Sequence, residues 1–353
     1  MWRERNTGPL TGKTVLRYIV AAAVLPFFLA LGCMAQDSPL ISGAAGFIST
    51  TSAGATFMQP ILAPLADVPI GDHFLFEARG DLRGFIAQQN GTSGPWEGQF
   101  FGTLDYAQLD YLVDRHLTVT VGRFLTPFNI YDERLTAIWI RNLPDVPLIF
   151  PIGTRDSGSS NGVMVRGVAA GSDKAELNYT AYYSAGTTVD QLQSGRAAGF
   201  RTGVFLPHQQ LEVGASYQRY LQDQHMNVGG AYAWWVPTNV PVQVRSEYAH
   251  SPQGHGYWIE SAFRFSRKDQ ITSFATRVQP LVRVQQFFRG SVPGGALPGT
   301  DVNAADFGVN VYLPQEIRFT SSYSRQFSSS GNYNVWNIGL TYRFMLPLTG
   351  GHS

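Results

Sequence analysis

The chain has 353 residues and a formal net charge of +1, and 44% of its residues are hydrophobic while only 14% are charged. A nearly neutral chain without a basic tract is not typical of a nucleic-acid-binding protein, so we expect no nucleic-acid partner. The mean hydropathy of -0.08 excludes a bundle of apolar membrane helices, whose spans are predominantly apolar.

The first 35 residues predict a secretory signal peptide. Four basic residues precede an apolar run at residues 18–31, which is too short to cross a bilayer at about 1.5 Å per residue. The small residue Ala35 then offers a cleavage site. An alternative is a lipoprotein signal acylated at Cys33, the only cysteine in the chain. Cleavage after Ala35 would leave the mature protein without a thiol.

Residues 36–72 are rich in Gly, Ala, Ser, Thr and Pro and show no clear period. We interpret them as a periplasmic lead-in, partly ordered inside the domain that follows. If these residues formed strands, the number of strands predicted below would rise by two.

The clearest pattern in the chain lies at residues 74–86, where charges fall on every second position. Glu77, Arg79, Asp81 and Arg83 share one face, and apolar side chains share the other. Successive side chains of a strand point to opposite faces, so this period of two predicts a β-strand.

The same alternation repeats to residue 344 without helices between the segments. An apolar outer face and a polar inner face are typical of a transmembrane β-barrel. We therefore predict an all-β fold, a closed antiparallel barrel of about fourteen strands at residues 73–344, with twelve to sixteen as the range. Residues 345–353 would form a C-terminal tail. The predicted strands are 74–86, 98–111, 116–124, 159–169, 174–184, 197–206, 210–220, 226–236, 240–250, 255–266, 277–288, 303–313, 316–326 and 333–344.

The predicted connections alternate in length. Joins from even to odd strands are mostly short, whereas several joins from odd to even strands are long. Outer-membrane barrels have short periplasmic turns and longer extracellular loops. This pattern predicts a bacterial outer-membrane location with both ends of the barrel in the periplasm.

Side chains at alternate positions of a strand share a face, and this parity of position assigns a set of charged residues to the inner face of the barrel. A charge that faces lipid at the midplane costs about 2–4 kcal/mol. The predicted pore-lining residues are Glu77, Arg79, Asp81, Arg83, Arg166, Arg245, Glu247, Glu260, Arg264, Arg277, Arg283, Arg318 and Arg343.

Three arginines fall on the opposite parity, each at the end of a strand: Arg123, Arg219 and Arg325. At the outer rim they could bind phosphates of outer-membrane lipid or lipopolysaccharide, since guanidinium groups bind phosphate in a bidentate manner. The alternative is that they already belong to loops.

Residues 125–158 form the longest interruption between strands. They contain Asp132, Glu133, Arg134 and Arg141 together with many apolar side chains that suit an exposed loop poorly. Folding inward would bury the apolar groups and set charges across the lumen, so we predict a constriction loop. A lid or subunit contact outside the lumen is the alternative.

A resemblance to a known family falls at the start of this loop. Residues 121–129, Val-Gly-Arg-Phe-Leu-Thr-Pro-Phe-Asn, resemble a segment of bacterial porins of the phosphate-selective O/P class. The resemblance implies an outer-membrane porin, a trimer of sixteen-stranded barrels, and Arg123 as a pore-mouth residue. The near absence of lysine departs from the lysine and arginine rows of that class.

No motif supports an enzyme. The pattern Gly-x-Ser-x-Gly falls at residues 158–162, where it opens a predicted strand and not the strand-to-helix elbow of a hydrolase, and His-Glu-x-x-His does not occur. We therefore predict no catalytic residues, no metal and no cofactor. His250 and His255 flank a short loop and are interpreted as solvated polar residues.

The sequence therefore predicts a porin that forms a passive channel for small polar or charged solutes, with a lumen lined by Arg and Asp or Glu. It leaves open a homo-oligomer such as a trimer. Two other functions remain: a scaffold or sheath for a partner protein, for example an electron-transfer cytochrome, and an outer-membrane lipid hydrolase.

Overall fold

The computed structural model describes residues 39–88, 94–154, 158–189, 192–222, 225–264 and 274–347. The predicted signal peptide, Cys33, and residues 348–353 of the predicted tail lie outside the described residues.

The fold is a closed barrel of antiparallel strands in which each strand pairs with its neighbours in sequence and β1 pairs with β16. The strands are β1 (Leu40–Ser52), β2 (Ala55–Ile70), β3 (Phe74–Gln88), β4 (Trp96–Asp114), β5 (Leu117–Leu125), β6 (Ser159–Gly171), β7 (Glu176–Ala185), β8 (Ala197–Leu206), β9 (Leu211–Tyr220), β10 (Asn227–Trp235), β11 (Val242–Ser251), β12 (Gly254–Phe263), β13 (Val278–Arg289), β14 (Val302–Leu313), β15 (Ile317–Ser328) and β16 (Tyr333–Pro347). The prediction of an all-β closed antiparallel barrel is confirmed.

The predicted strand number is corrected from about fourteen to sixteen. Residues 36–72, interpreted as a lead-in, contain β1 and β2, which close the barrel by pairing with β16 and β3. The barrel also ends later than predicted, because β16 continues to Pro347.

Prolines in β2 explain why this strand was missed. The pairing between β2 and β3 is interrupted around Pro60 and Pro64. Proline donates no hydrogen bond to a ladder, so it argues against a central strand. Gly84 on β3 accommodates one of the two rings, because a Cβ there would lie only 2.7 Å from Cγ of Pro60. A Cβ at Gly80 would lie 3.8 Å from Cγ of Pro64, which is an ordinary van der Waals contact.

Exposure along β16 shows the two faces of the wall. Asn337 and Thr341 point inward and are 1% and 5% exposed, whereas Trp336, Ile338 and Leu340 point outward and are about half exposed. The outward side chains form an apolar surface of the kind that faces lipid in outer-membrane barrels.

The two ends of the barrel differ. At one end of the barrel, which we call the short-turn end, β1 begins and β16 finishes. Most of the short turns also lie there, including 71–73, 115–116 and 314–316. The other end carries the connection 126–158. One connection at the short-turn end is long: residues 264–277, which join β12 to β13.

The largest buried apolar cluster lies within the barrel, where side chains of the connection 126–158 pack on β8–β13. No helix among the described ranges is long and apolar enough to cross a membrane.

Outward residues of β16 provide a test of which surface faces lipid. Ile338 and Leu346 are equally exposed, at 55% and 56%, but Ile338 lies in mid-strand and Leu346 lies near the short-turn end. We expect Ile338→Arg to lower the free energy of unfolding in lipid vesicles by about 2–4 kcal/mol and Leu346→Arg by about 0–1 kcal/mol. Denaturant titration would measure both values, and equal costs would contradict a bilayer around this face.

Candidate functional site

The described part of the connection between β5 and β6, residues 126–154 and 158, lies inside the barrel, and we call it the inner loop. It contains a π-helix, Tyr131–Leu135, and one short α-helix, α1 (Phe150–Thr154). Its apolar side chains, including those of Ile130, Leu135 and Ile152, are almost fully buried. Burial against the barrel wall accounts for the apolar content of a segment that is not a strand.

The start of the inner loop is held by Glu247 of β11. The backbone amides of Ile130 and Tyr131 each donate to Oε1 of Glu247 at 2.7 Å, and Nε1 of Trp258 donates to its other oxygen at 3.0 Å. A buried backbone N–H needs a partner, and a single carboxylate supplies one for both. Glu247 is therefore an anchor of the loop.

Glu133 forms a second attachment. Its carboxylate lies 2.5 Å from Nη1 of Arg201 on β8 and 3.4 Å from Nη1 of Arg166 on β6. Burial opposes ionisation of this carboxyl, but the surrounding arginines outweigh burial and lower its pKa. On the adjacent residue, Nη1 of Arg134 lies 2.6 Å from Oε2 of Glu212 on β9.

Arg318 of β15 binds the middle of the loop through main-chain oxygens. Its guanidinium donates to the carbonyl oxygens of Ile138 at 2.5 Å, Arg141 at 3.0 Å and Trp139 at 3.4 Å. Three carbonyl groups inside the barrel thereby gain a charged donor, which gives stronger hydrogen bonds than a neutral one.

The later part of the loop is held by β12–β14 and β16. Asn142 donates to Glu260 at 2.8 Å, and Glu260 also pairs with Arg245. Arg283 donates to the carbonyl oxygen of Asp145 at 3.0 Å.

These contacts describe the surroundings of several residues on β11–β15 that were predicted to line the pore. They face inward, but the inner loop covers them, so their charges are directed at the loop and at one another. They are no more than 8% exposed. The residues concerned are Arg245, Glu247, Glu260, Arg283 and Arg318.

On the opposite side, a cavity of about 210 Å³ remains between the inner loop and β2–β4. The charged residues of its lining are Arg79, Asp81, Arg83 and Asp105 from the wall and Asp132 and Arg141 from the loop. The cavity thus brings three of the predicted inner-face residues of β3 together with two of the predicted loop residues. Positive and negative side chains line the same small space.

The wall charges of the cavity are partly paired. Nε of Arg79 lies 2.9 Å from Oδ2 of Asp105, and Nη2 of Arg83 lies 2.7 Å from Oδ2 of Asp81. Arg79 also donates to the Thr136 hydroxyl on the loop at 3.4 Å. These pairs fix the positions of the wall charges.

The remaining predicted inner-face residues lie elsewhere. Glu77 accepts from Gln108 at 2.9 Å near the cavity wall. Arg264 lies over the ring of Tyr312 at 4.4 Å, and Arg277 ends a 3-10 helix, Ala275–Arg277. Arg343 is exposed near the short-turn end.

The three arginines of opposite parity differ from one another. Arg123 is buried, and it donates to the carbonyl oxygen of Leu104 at 2.6 Å and to Asn161 at 3.0 Å, so it is not a lipid-facing rim residue. Arg219 is exposed on the outer face, and Arg325 donates to Asn334 at 2.6 Å.

Sequence reasoning missed Asp105 and Arg201. Asp105 lies where the register between β3 and β4 shifts, so simple parity misassigns it. A bulge places two residues of one strand opposite one of the next. Arg201 lies within a predicted strand, and parity alone could have placed it on the inner face.

Within the described ranges, no three His, Cys, Asp or Glu side chains are grouped so that they could hold a metal ion.

A closed antiparallel barrel of sixteen strands with a long loop folded inside it is the architecture of outer-membrane porins. No family model matches the chain, and no curated protein matches it. Solved structures do match in fold. OmpF of Salmonella typhi in complex with daunomycin has 14% identity, covers 87% of this chain and 97% of its own, and gives a TM-score of 0.55.

An anion-selective porin from Comamonas acidovorans has 8% identity, covers 88% of this chain and 100% of its own, and gives a TM-score of 0.57. The trimer form of OmpT, an outer membrane protein of Vibrio cholerae, has 11% identity, covers 87% of this chain and 100% of its own, and gives a TM-score of 0.53. At these identities the likeness establishes the porin-type barrel fold.

Removing the Glu247 carboxylate tests the attachment of the inner loop. We expect Glu247→Ala to speed hydrogen exchange at the amides of Ile130 and Tyr131, because each unsatisfied buried donor costs about 1–3 kcal/mol. Exchange measured by mass spectrometry over the loop would report the change. Glu316→Ala, at an exposed turn, is the control, and unchanged protection in Glu247→Ala would contradict the anchoring role.

Proposed function

We propose that this protein is an outer-membrane porin, a passive channel for small polar or charged solutes. The observation that carries the proposal is the charged cavity between the inner loop and β2–β4. Elsewhere the loop packs on the wall through buried side chains, so we propose that solutes cross on the β2–β4 side. A pore selects solutes by the charged groups at its narrowest point.

Mixed charge at the proposed constriction supports weak selectivity between simple ions. Arg79 and Arg83 each have a carboxylate partner, so neither sign dominates the wall. The resemblance to the phosphate-selective O/P class rests on residues 121–129. Since the cavity carries as many acids as arginines, we propose a general porin and not a phosphate channel.

The orientation follows from the fold by analogy. We propose that residues 1–35 are a cleaved signal peptide, that the short-turn end faces the periplasm and that the inner loop enters from the extracellular side. Arg219, exposed on the outer face at the end of β9, would then lie near the phosphates of lipopolysaccharide. The trimer form of the Vibrio cholerae neighbour supports a homo-oligomer for this chain as well.

The alternative functions gain no support from the barrel interior. A sheath for a partner protein needs an open lumen, whereas the inner loop of this chain packs on β8–β13 through a buried apolar cluster. A lipid hydrolase needs a Ser-His pair at the rim. The two histidines that point outward near the rim, His250 and His255, have ring centroids 5.7 Å apart, and His255 stacks on Phe288. These ring contacts give the hydrolase no support.

Filling the cavity tests the proposed path. Ala63 of β2 lines the cavity, and we expect Ala63→Trp to lower single-channel conductance in planar bilayers severalfold because the indole takes up the passage. The matched variant Ala215→Trp places the same side chain on the exposed outer face of β9 and is expected to conduct as the parent does.

Both variants must first be shown to fold, by their mobility in gels run with and without heating. If the parent protein shows no channel events, the proposed function is wrong. If Ala63→Trp conducts as well as Ala215→Trp, the path lies elsewhere in the barrel.

A further inference from the structure

Among the described residues, two inner-loop side chains of opposite charge each have a polar atom beside the cavity without a hydrogen-bond partner. Asp132 is 2% exposed and Arg141 is 6% exposed, and both line the cavity. Among the described residues, Oδ2 of Asp132 and Nε of Arg141 have no hydrogen-bond partner. A buried charged group without a partner is costly, so such groups are unusual unless something else binds them.

The loop holds both residues in place through their backbones. The carbonyl oxygen of Asp132 accepts from the Thr136 hydroxyl at 2.7 Å. The amide of Arg141 donates to Ala137 at 3.0 Å, and its carbonyl oxygen accepts from Arg318 at 3.0 Å. The two side chains are therefore presented by a fixed scaffold and not by a mobile surface.

The six charged residues of the cavity divide into two groups of opposite net charge. The charges that act most strongly on Asp132 are those of Arg79 and Asp105, which leaves one excess negative charge in that group. The electrostatic neighbours of Arg141 include Arg83 and Asp81, which leaves one excess positive charge. Asp145 also acts on Arg141, but its carboxylate accepts from Asn337 at 2.6 Å and is not part of the lining.

We propose that this cavity is a binding site for small zwitterions, in which Arg141 binds a carboxylate and Asp132 binds an ammonium group. The inference rests on the proposed channel function and names its preferred solute class. A molecule with one charge of each sign satisfies both unpartnered groups at once. A simple cation or anion satisfies one group and leaves the other buried and unpaired.

The electrostatics of Asp132 and Arg141 agree with this assignment. Burial raises the pKa of the Asp132 carboxyl well above its usual range, and burial lowers the pKa of the Arg141 guanidinium. A bound ammonium and a bound carboxylate would each oppose the corresponding shift, since an opposite charge nearby favours the charged form.

Uptake into proteoliposomes by the full-length barrel tests the proposal with four solutes of similar size: β-alanine, propionate, propylammonium and propionamide. We expect the rate for β-alanine to saturate with concentration and the rates for the other three to rise linearly. Asp132→Asn and Arg141→Gln should each raise the half-saturating concentration of β-alanine at least about tenfold, as expected for losing a hydrogen bond to a charged group.

Arg219→Gln, on the exposed outer face, is the control and should leave saturation unchanged. Calorimetric titration of the purified barrel with β-alanine gives a second readout that does not depend on transport, and we expect heat of binding in the parent that Asp132→Asn loses. If β-alanine crosses linearly and as propionamide does, or if neither loop variant changes saturation, the zwitterion site is wrong while the channel function stands. If no solute crosses, the proposed channel function itself is wrong.

Discussion

The structure depends on how the inner loop satisfies its polar backbone inside the barrel. A loop that leaves the surface must find partners for its amide and carbonyl groups, because an unpaired buried one costs about as much as a lost hydrogen bond. Here charged side chains of the wall supply many of them. Glu247 accepts two consecutive amides, and Arg318 donates to three carbonyl groups. The inward-facing charges of β11–β15 therefore serve as attachment points for the loop.

This use of charge makes the interior asymmetric. On the β11–β15 side, carboxylates and guanidinium groups are buried between wall and loop. On the β2–β4 side, Arg79 and Arg83 remain beside a cavity. The same residue types thus have two roles, and the position of the loop decides between them.

Sequence patterns predicted the closed barrel because alternation is a local property. The charges from Glu77 to Arg83 recur at every second residue, and that signal needs no knowledge of distant contacts. The pattern failed at β2, where prolines hide a strand, and at Asp105, where a bulge changes the parity. Both failures arise where the backbone departs from a regular strand.

The arrangement of the cavity was less accessible to sequence. The charged and apolar content of residues 125–158 indicated burial against the wall, but not which part of the wall. Arg318 binds oxygens of residues 177 to 180 positions away in the chain, and no local pattern encodes such a contact. Such contacts between distant parts of the chain decide whether an inward-facing charge meets water or the loop.

Pro60 and Pro64 have a mechanical consequence for the cavity. They interrupt the pairing of β2 with β3, and these two strands supply Ile61, Ala63 and Arg79 to the cavity lining. Hydrogen bonds across a seam resist its separation, so a seam with gaps is more compliant than its neighbours. The ladder beside the cavity is therefore interrupted, whereas the ladders of β10–β13, behind the attached loop, run without a break.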